Sequence, residues 1–190
     1  MNKFRTLCGL VGIWAKKSKG RNAFGFIHAA TEALKHRGPD YLGIKSYTNC
    51  ALGHTRLAII DCEPRSNQHF ESADGRYCLV FNGEIYNYKS LRNDLEKDGV
   101  KFTTNSDTEV LLKYLIMNGE GALKSLNGFY ALAFYDRQLN RLVLARDLAG
   151  IKPLLVFEDD EKVCFASEMT GLRLLNLLKL IRLPLISTFL

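Results

Sequence analysis

Tyr77-Cys78-Leu79-Val80-Phe81-Asn82-Gly83-Glu84 reads as an apolar strand running into a polar, glycine-containing segment. What flanks it sets the fold class. On its C-terminal side the apolar period lengthens to that of a helix. Residues 89–97 place Leu91 and Leu95 four apart and stop at Gly99, and a second helix is expected over about 107–117. Ser106 has the chemistry of that helix's N-cap, with Glu109 three residues on as a capping-box partner. Beyond them, 129–135, 141–145, 154–157 and 163–166 read as short strands broken by Asp136, Gly150 and Asp159-Asp160.

On the N-terminal side, 10–14 is a short apolar strand, 16–20 a polar turn, and 23–35 a helix with Phe24, Ile27, Ala30 and Leu34 on one face. His36-Arg37-Gly38-Pro39-Asp40 ends that helix, since proline biases the residue before it away from helical geometry. Strands are expected at 43–47 and 51–60, followed by a polar loop over 64–75. Strands, then helices, then strands argue for an α+β layered fold with antiparallel sheets, not a doubly wound parallel one.

The 190 residues carry 47% hydrophobic and 24% charged side chains, in the range of a globular domain with one buried core. The net charge of +6 falls mainly at 16–21 and in the tail at Arg173, Lys179 and Arg182, which reads as solvated basic segments. Nucleic acid is therefore not an expected partner. The five cysteines are odd in number and lack CxxC spacing, and the four histidines lack metal-ligand pairing, so neither a disulfide framework nor a metal site is expected. Residues 172–190 are rich in Leu and Ile, but three cations and Pro184 argue against a membrane span. They read as an incomplete helix with an uncovered apolar face, or as an interfacial amphipathic helix. A reducing cytoplasm is the expected location.

Taken singly, the polar residues of the strands admit two readings each. Asn82-Gly83 offers an amide and a backbone N–H side by side, which suits an oxyanion at a carbonyl, but Asn-Gly is also a common hairpin turn. Arg56, on an otherwise apolar strand, needs an anion, which an internal acid or a ligand carboxylate would supply. Asp107 is either a first-turn acid favoured by the helix dipole or a partner for an ammonium. Cys8 alone would be a small buried hydrophobe.

Together the segments resemble the class II, N-terminal-nucleophile (Ntn) glutamine amidotransferase domain, most closely the glutaminase half of glutamine-hydrolysing asparagine synthetases. The matching stretches are Cys8-Gly9-Leu10-Val11-Gly12-Ile13-Trp14, His36-Arg37-Gly38-Pro39-Asp40, Gly53-His54-Thr55-Arg56-Leu57, Phe81-Asn82-Gly83-Glu84-Ile85-Tyr86-Asn87, Ser106-Asp107-Thr108-Glu109, and Ala145-Arg146-Asp147 with Gly150-Ile151-Lys152-Pro153. The resemblance implies a four-layer αββα sandwich of two antiparallel sheets. It implies Cys8 as nucleophile, its freed α-amine as base, and Asn82 with the Gly83 N–H as oxyanion hole. Arg56 would hold the α-carboxylate of glutamine, Glu84 and Asp107 its α-ammonium, and the backbone at Ile59 and Ile60 would line the pocket.

The chain also departs from the family. Residues 1–7 precede Cys8 and read as an extension or propeptide; in a peptide bond the Cys8 nitrogen is an amide and not a base. His69 stands where proline is usual, Leu148-Ala149 replace Arg-Phe, and Leu154-Leu155 replace aromatic residues. The likeness covers about 8–170. No Ser-Gly-Gly-x-Asp-Ser loop and no Walker-type loop follows, so no cofactor is expected in this chain; ATP and Mg belong to a synthetase domain that is missing, and 171–190 reads as its truncated or altered start. The expected function is hydrolysis of L-glutamine to glutamate and ammonia for an ammonia-accepting synthetase domain or subunit. The alternatives are a non-catalytic remnant that keeps residues 1–7, and the glutaminase half of another amide-forming synthetase.

Overall fold

The computed structural model describes residues 8–58 and 63–175, and the backbone of 186–189. The strands and helices are β1 (Gly9–Ala15), α1 (Ile27–Glu32), β2 (Tyr41–Ser46), β3 (Cys50–Arg56), β4 (Phe70–Glu71), β5 (Tyr77–Ile85), α2 (Tyr88–Lys97), α3 (Asp107–Asn118), β6 (Gly128–Asp136), β7 (Arg141–Arg146), β8 (Leu155–Glu158), β9 (Lys162–Ala166), α4 (Met169–Leu174) and β10 (Ile186–Phe189). They form two sheets of five strands, ordered β2-β3-β1-β9-β8 and β10-β7-β6-β5-β4, with antiparallel neighbours throughout.

Side chains alternate across a strand, and here both faces of each sheet are covered. Leu10 and Trp14 of β1, Leu52 of β3, Val80 of β5, Ala131 and Ala133 of β6 and Phe165 of β9 meet in one cluster between the sheets. The intervening residues of the first sheet, Val11, Ile13, Ala51 and Cys164, pack on Ile27, Ala30, Leu34 and Leu172. Those of the second, Leu79, Phe81, Leu132 and Phe134, pack with Leu91, Leu95, Leu111 and Leu115 of α2 and α3. Helix, sheet, sheet and helix are thus four layers, the expected αββα sandwich. Double-sided burial explains why β1 and β7 read as continuous apolar runs, not as an alternation.

Local chemistry sets the helix ends. Ser106 accepts the backbone N–H of Thr108 at 3.1 Å, as an N-cap does. Glu109 does not close a capping box on Ser106; its carboxylate accepts the N–H groups of Thr103 and Thr104 at 2.6–3.1 Å and pins the turn before the helix. Helix α2 stops at Asp98-Gly99, where φ is +84° at Gly99, a conformation glycine adopts without a Cβ penalty.

Further expectations change. The helix expected over 23–35 is a 3₁₀ segment, Ser18–Phe26, followed by the short α1; no side chain caps its start, and Gly20 and Gly25 weaken it. The strand ending at Phe81 continues to Ile85, so Asn82-Gly83 is neither a hairpin turn nor a strand end: each residue from Tyr77 to Ile85 is paired with β6. The polar loop over 64–75 contains a 3₁₀ turn at Pro64–Ser66 and the short β4. In the tail, α4 accounts for 172–174, but Ile186–Phe189 is a strand paired with β7 and not part of a helix, because the edge of β7 offers backbone partners there. Among the described residues no helix is long and apolar enough to cross a membrane, and no His, Cys, Asp and Glu cluster fits a metal ion. Cys8, Cys50, Cys78 and Cys164 are free thiols.

Candidate active site

The apolar filling between the sheets ends at one mouth, and polar residues continue the same strand periods there. Two residues before Leu10 comes Cys8; beyond Cys50 and Leu52 of β3 come His54 and Arg56; beyond Cys78 and Val80 of β5 comes Asn82; before Ala131 of β6 comes Phe129. Cys8, Arg56, Asn82 and Phe129 line one cavity of about 260 Å³, together with Gly83, Glu84, Gln68, Asp107 and Lys152. It is near the small end of ligand pockets. All the predicted site residues that the structure describes therefore meet in one place. Ile59 and Ile60 lie outside the described residues.

Cys8 is held from both sides. Its carbonyl accepts Arg37 Nε at 3.1 Å, and Arg37 is itself paired with Glu168 at 2.6 Å. The next N–H, of Gly9, donates to Thr55 Oγ1 at 3.1 Å. The thiol faces Leu57, whose N–H lies 3.4 Å from Sγ. Burial pushes the thiol pKa up; the Leu57 backbone and the positive charges of Arg56 and Lys152 act in the opposite direction. The His-Arg-Gly-Pro-Asp motif thus has a physical role: Arg37 fixes the Cys8 carbonyl, and Asp40 accepts the N–H of Ala58 at 2.9 Å, steadying the chain after Arg56.

The edge of β5 supplies the electrophilic side. On a strand, the N–H and C=O of alternate residues point to the same edge. The N–H of Phe81 donates to Gln68 Oε1 at 2.6 Å, its carbonyl accepts His54 Nε2 at 3.0 Å, and the N–H of Ile85 donates to Asp107 Oδ2 at 3.2 Å. Gly83 lies between them, so its N–H faces the same edge, away from β6. Tyr130, opposite it, bonds instead with Asp147. Asn82 is 1% exposed, and among the described residues its Nδ2 has no hydrogen-bond partner. A buried amide N–H₂ without a partner is unusual in a folded core. Here it stands in the cavity beside a backbone donor of the adjacent residue.

The charged groups are equally placed. Arg56 is 5% exposed and donates to Asn67 Oδ1 at 2.7 Å and to the Glu63 carbonyl at 3.4 Å. Asp107, the first residue of α3, has its carboxyl pushed up to about 6 by burial and by the nearby Glu84. His54 is fully buried, which pushes its pKa down to about 3; its neutral ring donates to the Phe81 carbonyl. Gln68 and Lys152, which line the cavity, and His54, which supports it through Phe81, are residues that sequence reasoning missed. The Gly53-His54-Thr55-Arg56 and Gly150-Ile151-Lys152-Pro153 matches were the available signals, though neither motif says which way its side chains point.

An αββα sandwich that brings a thiol, a buried amide with no partner among the described residues, and charges of both signs to the mouth between its sheets is built like an N-terminal-nucleophile hydrolase. Residues 7–182 match the glutamine amidotransferase domain, and the chain belongs to that family. It is 39% identical over 168 residues to asparagine synthetase [glutamine-hydrolyzing] 1 of Bacillus subtilis, covering 87% of this chain and 26% of that protein. It is 36% identical to asparagine synthetase [glutamine-hydrolyzing] 3 of Arabidopsis thaliana, covering 87% of this chain and 28% of that one. The chain thus spans little more than a quarter of these relatives. Among solved structures, the glutamine phosphoribosylpyrophosphate amidotransferase of B. subtilis superposes with a TM-score of 0.72 at 24% identity, over 89% of this chain and 44% of that one, which supports the fold.

Proposed function

We propose that this domain hydrolyses L-glutamine to glutamate and ammonia, with Cys8 as nucleophile. The observation that carries the reading is the convergence of Cys8, Arg56, Asn82, Gly83, Glu84 and Asp107 on one cavity, with Asn82 Nδ2 buried and, among the described residues, without a hydrogen-bond partner. Arg56 binds the substrate α-carboxylate bidentately, and Glu84 and Asp107 bind its α-ammonium. The side-chain carbonyl then lies within reach of Sγ. The thiol proton passes to the Cys8 α-amine, freed by cleavage of the Leu7–Cys8 bond, and the S–C bond forms as the carbonyl becomes an oxyanion. Asn82 Nδ2–H and Gly83 N–H donate to that oxyanion. Collapse breaks the C–N bond, the α-amine returns its proton to the departing ammonia, and a thioester remains. Water attacks the thioester, giving its proton to the amine, and the thiolate leaves with glutamate released.

The ammonia is passed to an amide-forming synthetase domain or subunit; the asparagine synthetase relatives make asparagine formation the leading assignment for that partner. ATP and Mg would act there. The free described thiols suit a reducing cytoplasm.

The test is acid quenching of a chain that begins at Cys8 during turnover. A glutamyl adduct is expected on the Cys8 peptide by mass spectrometry, absent in Cys8→Ala; steady turnover with Cys8 never modified would contradict the reading. Residues 1–7 favour a second reading, a domain that binds glutamine without hydrolysing it. Intact mass of the native protein separates the two: a species beginning at Cys8 supports the enzyme, one beginning at Met1 or Asn2 the binding protein.

A further inference from the structure

Lys152 is 3% exposed and reaches the cavity from the loop after β7. That loop is fixed by Asp147, whose carboxylate accepts the N–H groups of Ile151 and Lys152 at 2.9 and 3.0 Å and that of Tyr130 at 3.2 Å. The ammonium lies 4.6 Å from the centre of the Phe129 ring. Asp147 takes the backbone N–H of Lys152, and among the described residues no carboxylate stands within ion-pair distance of the ammonium. A buried ammonium is costly unless an anion joins it, and the aromatic face offsets only a part.

The charges around the thiol come from every neighbouring element. Arg56 stands at the end of β3, donates to Asn67 and the Glu63 carbonyl, and its charge also lowers the thiol pKa. Arg37 holds the Cys8 carbonyl and pairs with Glu168. Glu84 on β5 and Asp107 on α3 bring carboxyl groups to the same cavity. Among the described residues Lys152 makes no ion pair; it and Cys8 interact electrostatically, each favouring the charged form of the other, and Asp147 and Glu84 act on the lysine in the same direction. Burial draws the lysine pKa below its usual range, and ionised Cys8 opposes this.

We infer that Lys152 stabilises Cys8 as a thiolate and is its electrostatic partner during attack and thioester release. This deepens the glutaminase reading of the cavity and rests on it. The proton lost by the thiol goes to the base, as before; Lys152 stays an ammonium throughout and forms no bond.

The pH profile of Cys8 alkylation by iodoacetamide, followed on the Cys8 peptide in the full chain, tests this without turnover. Lys152→Met is expected to move the midpoint up by about one pH unit and to slow alkylation at pH 7.5 about tenfold. Lys152→Arg is expected to restore most of it. Lys152→Gln removes the same charge should the methionine variant not fold. A profile unchanged in a folded Lys152→Met or Lys152→Gln chain overturns the inference, as does a rise in glutamine KM with no change in alkylation, which would place Lys152 on the substrate carboxylate. A shifted profile in a chain that begins at Cys8 and yet releases no glutamate would instead sink the glutaminase reading alone.

Discussion

Asp107 Oδ2 accepts the backbone N–H of Ile85 at 3.2 Å, so the first residue of α3 is clamped to the edge of β5 two residues beyond Gly83. The proposed ammonium site and the proposed oxyanion donors are therefore parts of one edge. The same carboxyl, pushed up to about 6 by burial, titrates in an accessible range. As pH falls through 6 it is protonated and loses the charge that holds a substrate ammonium. In a chain that begins at Cys8, glutamine KM is expected to rise about tenfold per pH unit below 6. Asp107→Asn raises KM throughout and flattens that limb, as steady-state kinetics from pH 5 to 8 would reveal.

Among the described residues, the buried Asn82 amide N–H₂ has no hydrogen-bond partner. Asn82→Ala therefore removes an interaction made only when the oxyanion forms. It is expected to lower kcat by about 10²–10³ with little change in KM. Thermal unfolding should barely move. A large loss of stability with kcat preserved would mean that the amide is structural.

Gly83 sits against β6: a Cβ there would meet Phe129 O at 2.2 Å and Tyr130 Cα at 2.7 Å, both backbone atoms. Gly83→Ala is expected to push the strands apart, destabilise the domain by about 1–3 kcal/mol and displace the N–H that serves the oxyanion. Urea unfolding measures the first effect, glutamate release the second.

His54 is buried neutral, its pKa pushed down to about 3 from 6.5. The unfolded chain binds the proton more readily between those values, so stability is full above 6.5 and falls on acidification. From pH 6.5 to 5 this removes about 2 kcal/mol. Asp107 opposes it: its folded pKa is raised, so the fold gains about 1 kcal/mol as pH falls from 6 to 5. Urea midpoints should therefore drop more steeply in Asp107→Asn than in wild type. In His54→Gln, which retains a donor for the Phe81 carbonyl, the drop should vanish or reverse.

The antiparallel α+β layering was legible in apolar runs separated by two well-patterned helices, and the four-layer order in the family resemblance; Leu91, Leu95 and the Ser106 cap stand where the spacing puts them. The residues of the site were legible as an ordered set of motifs. What local pattern hides is the edge chemistry. Asn82-Gly83 has the composition of a turn, and only the run of β6 alongside it, from Asn82↔Ala131 to Ile85↔Gly128, keeps it extended. Gln68 sits in a polar loop, yet it serves as a backbone surrogate for Phe81 beyond the end of β4. Lys152 follows a glycine in a surface-like loop and is buried because Asp147 folds that loop inward. The strand at Ile186–Phe189 lies in a Leu-rich tail that reads as a helix, but its own residues, Ile-Ser-Thr-Phe, suit a strand paired with β7.

The central claim is that Cys8, with a free α-amine, makes this cavity a glutaminase. The most direct measurement is glutamate and ammonia release from L-glutamine by the chain beginning at Cys8, beside the Cys8→Ala variant and the chain beginning at Met1. Equimolar glutamate and ammonia from the first alone is the predicted result. A folded chain beginning at Cys8 that releases neither, or a Cys8→Ala variant that releases both at the same rate, would contradict it.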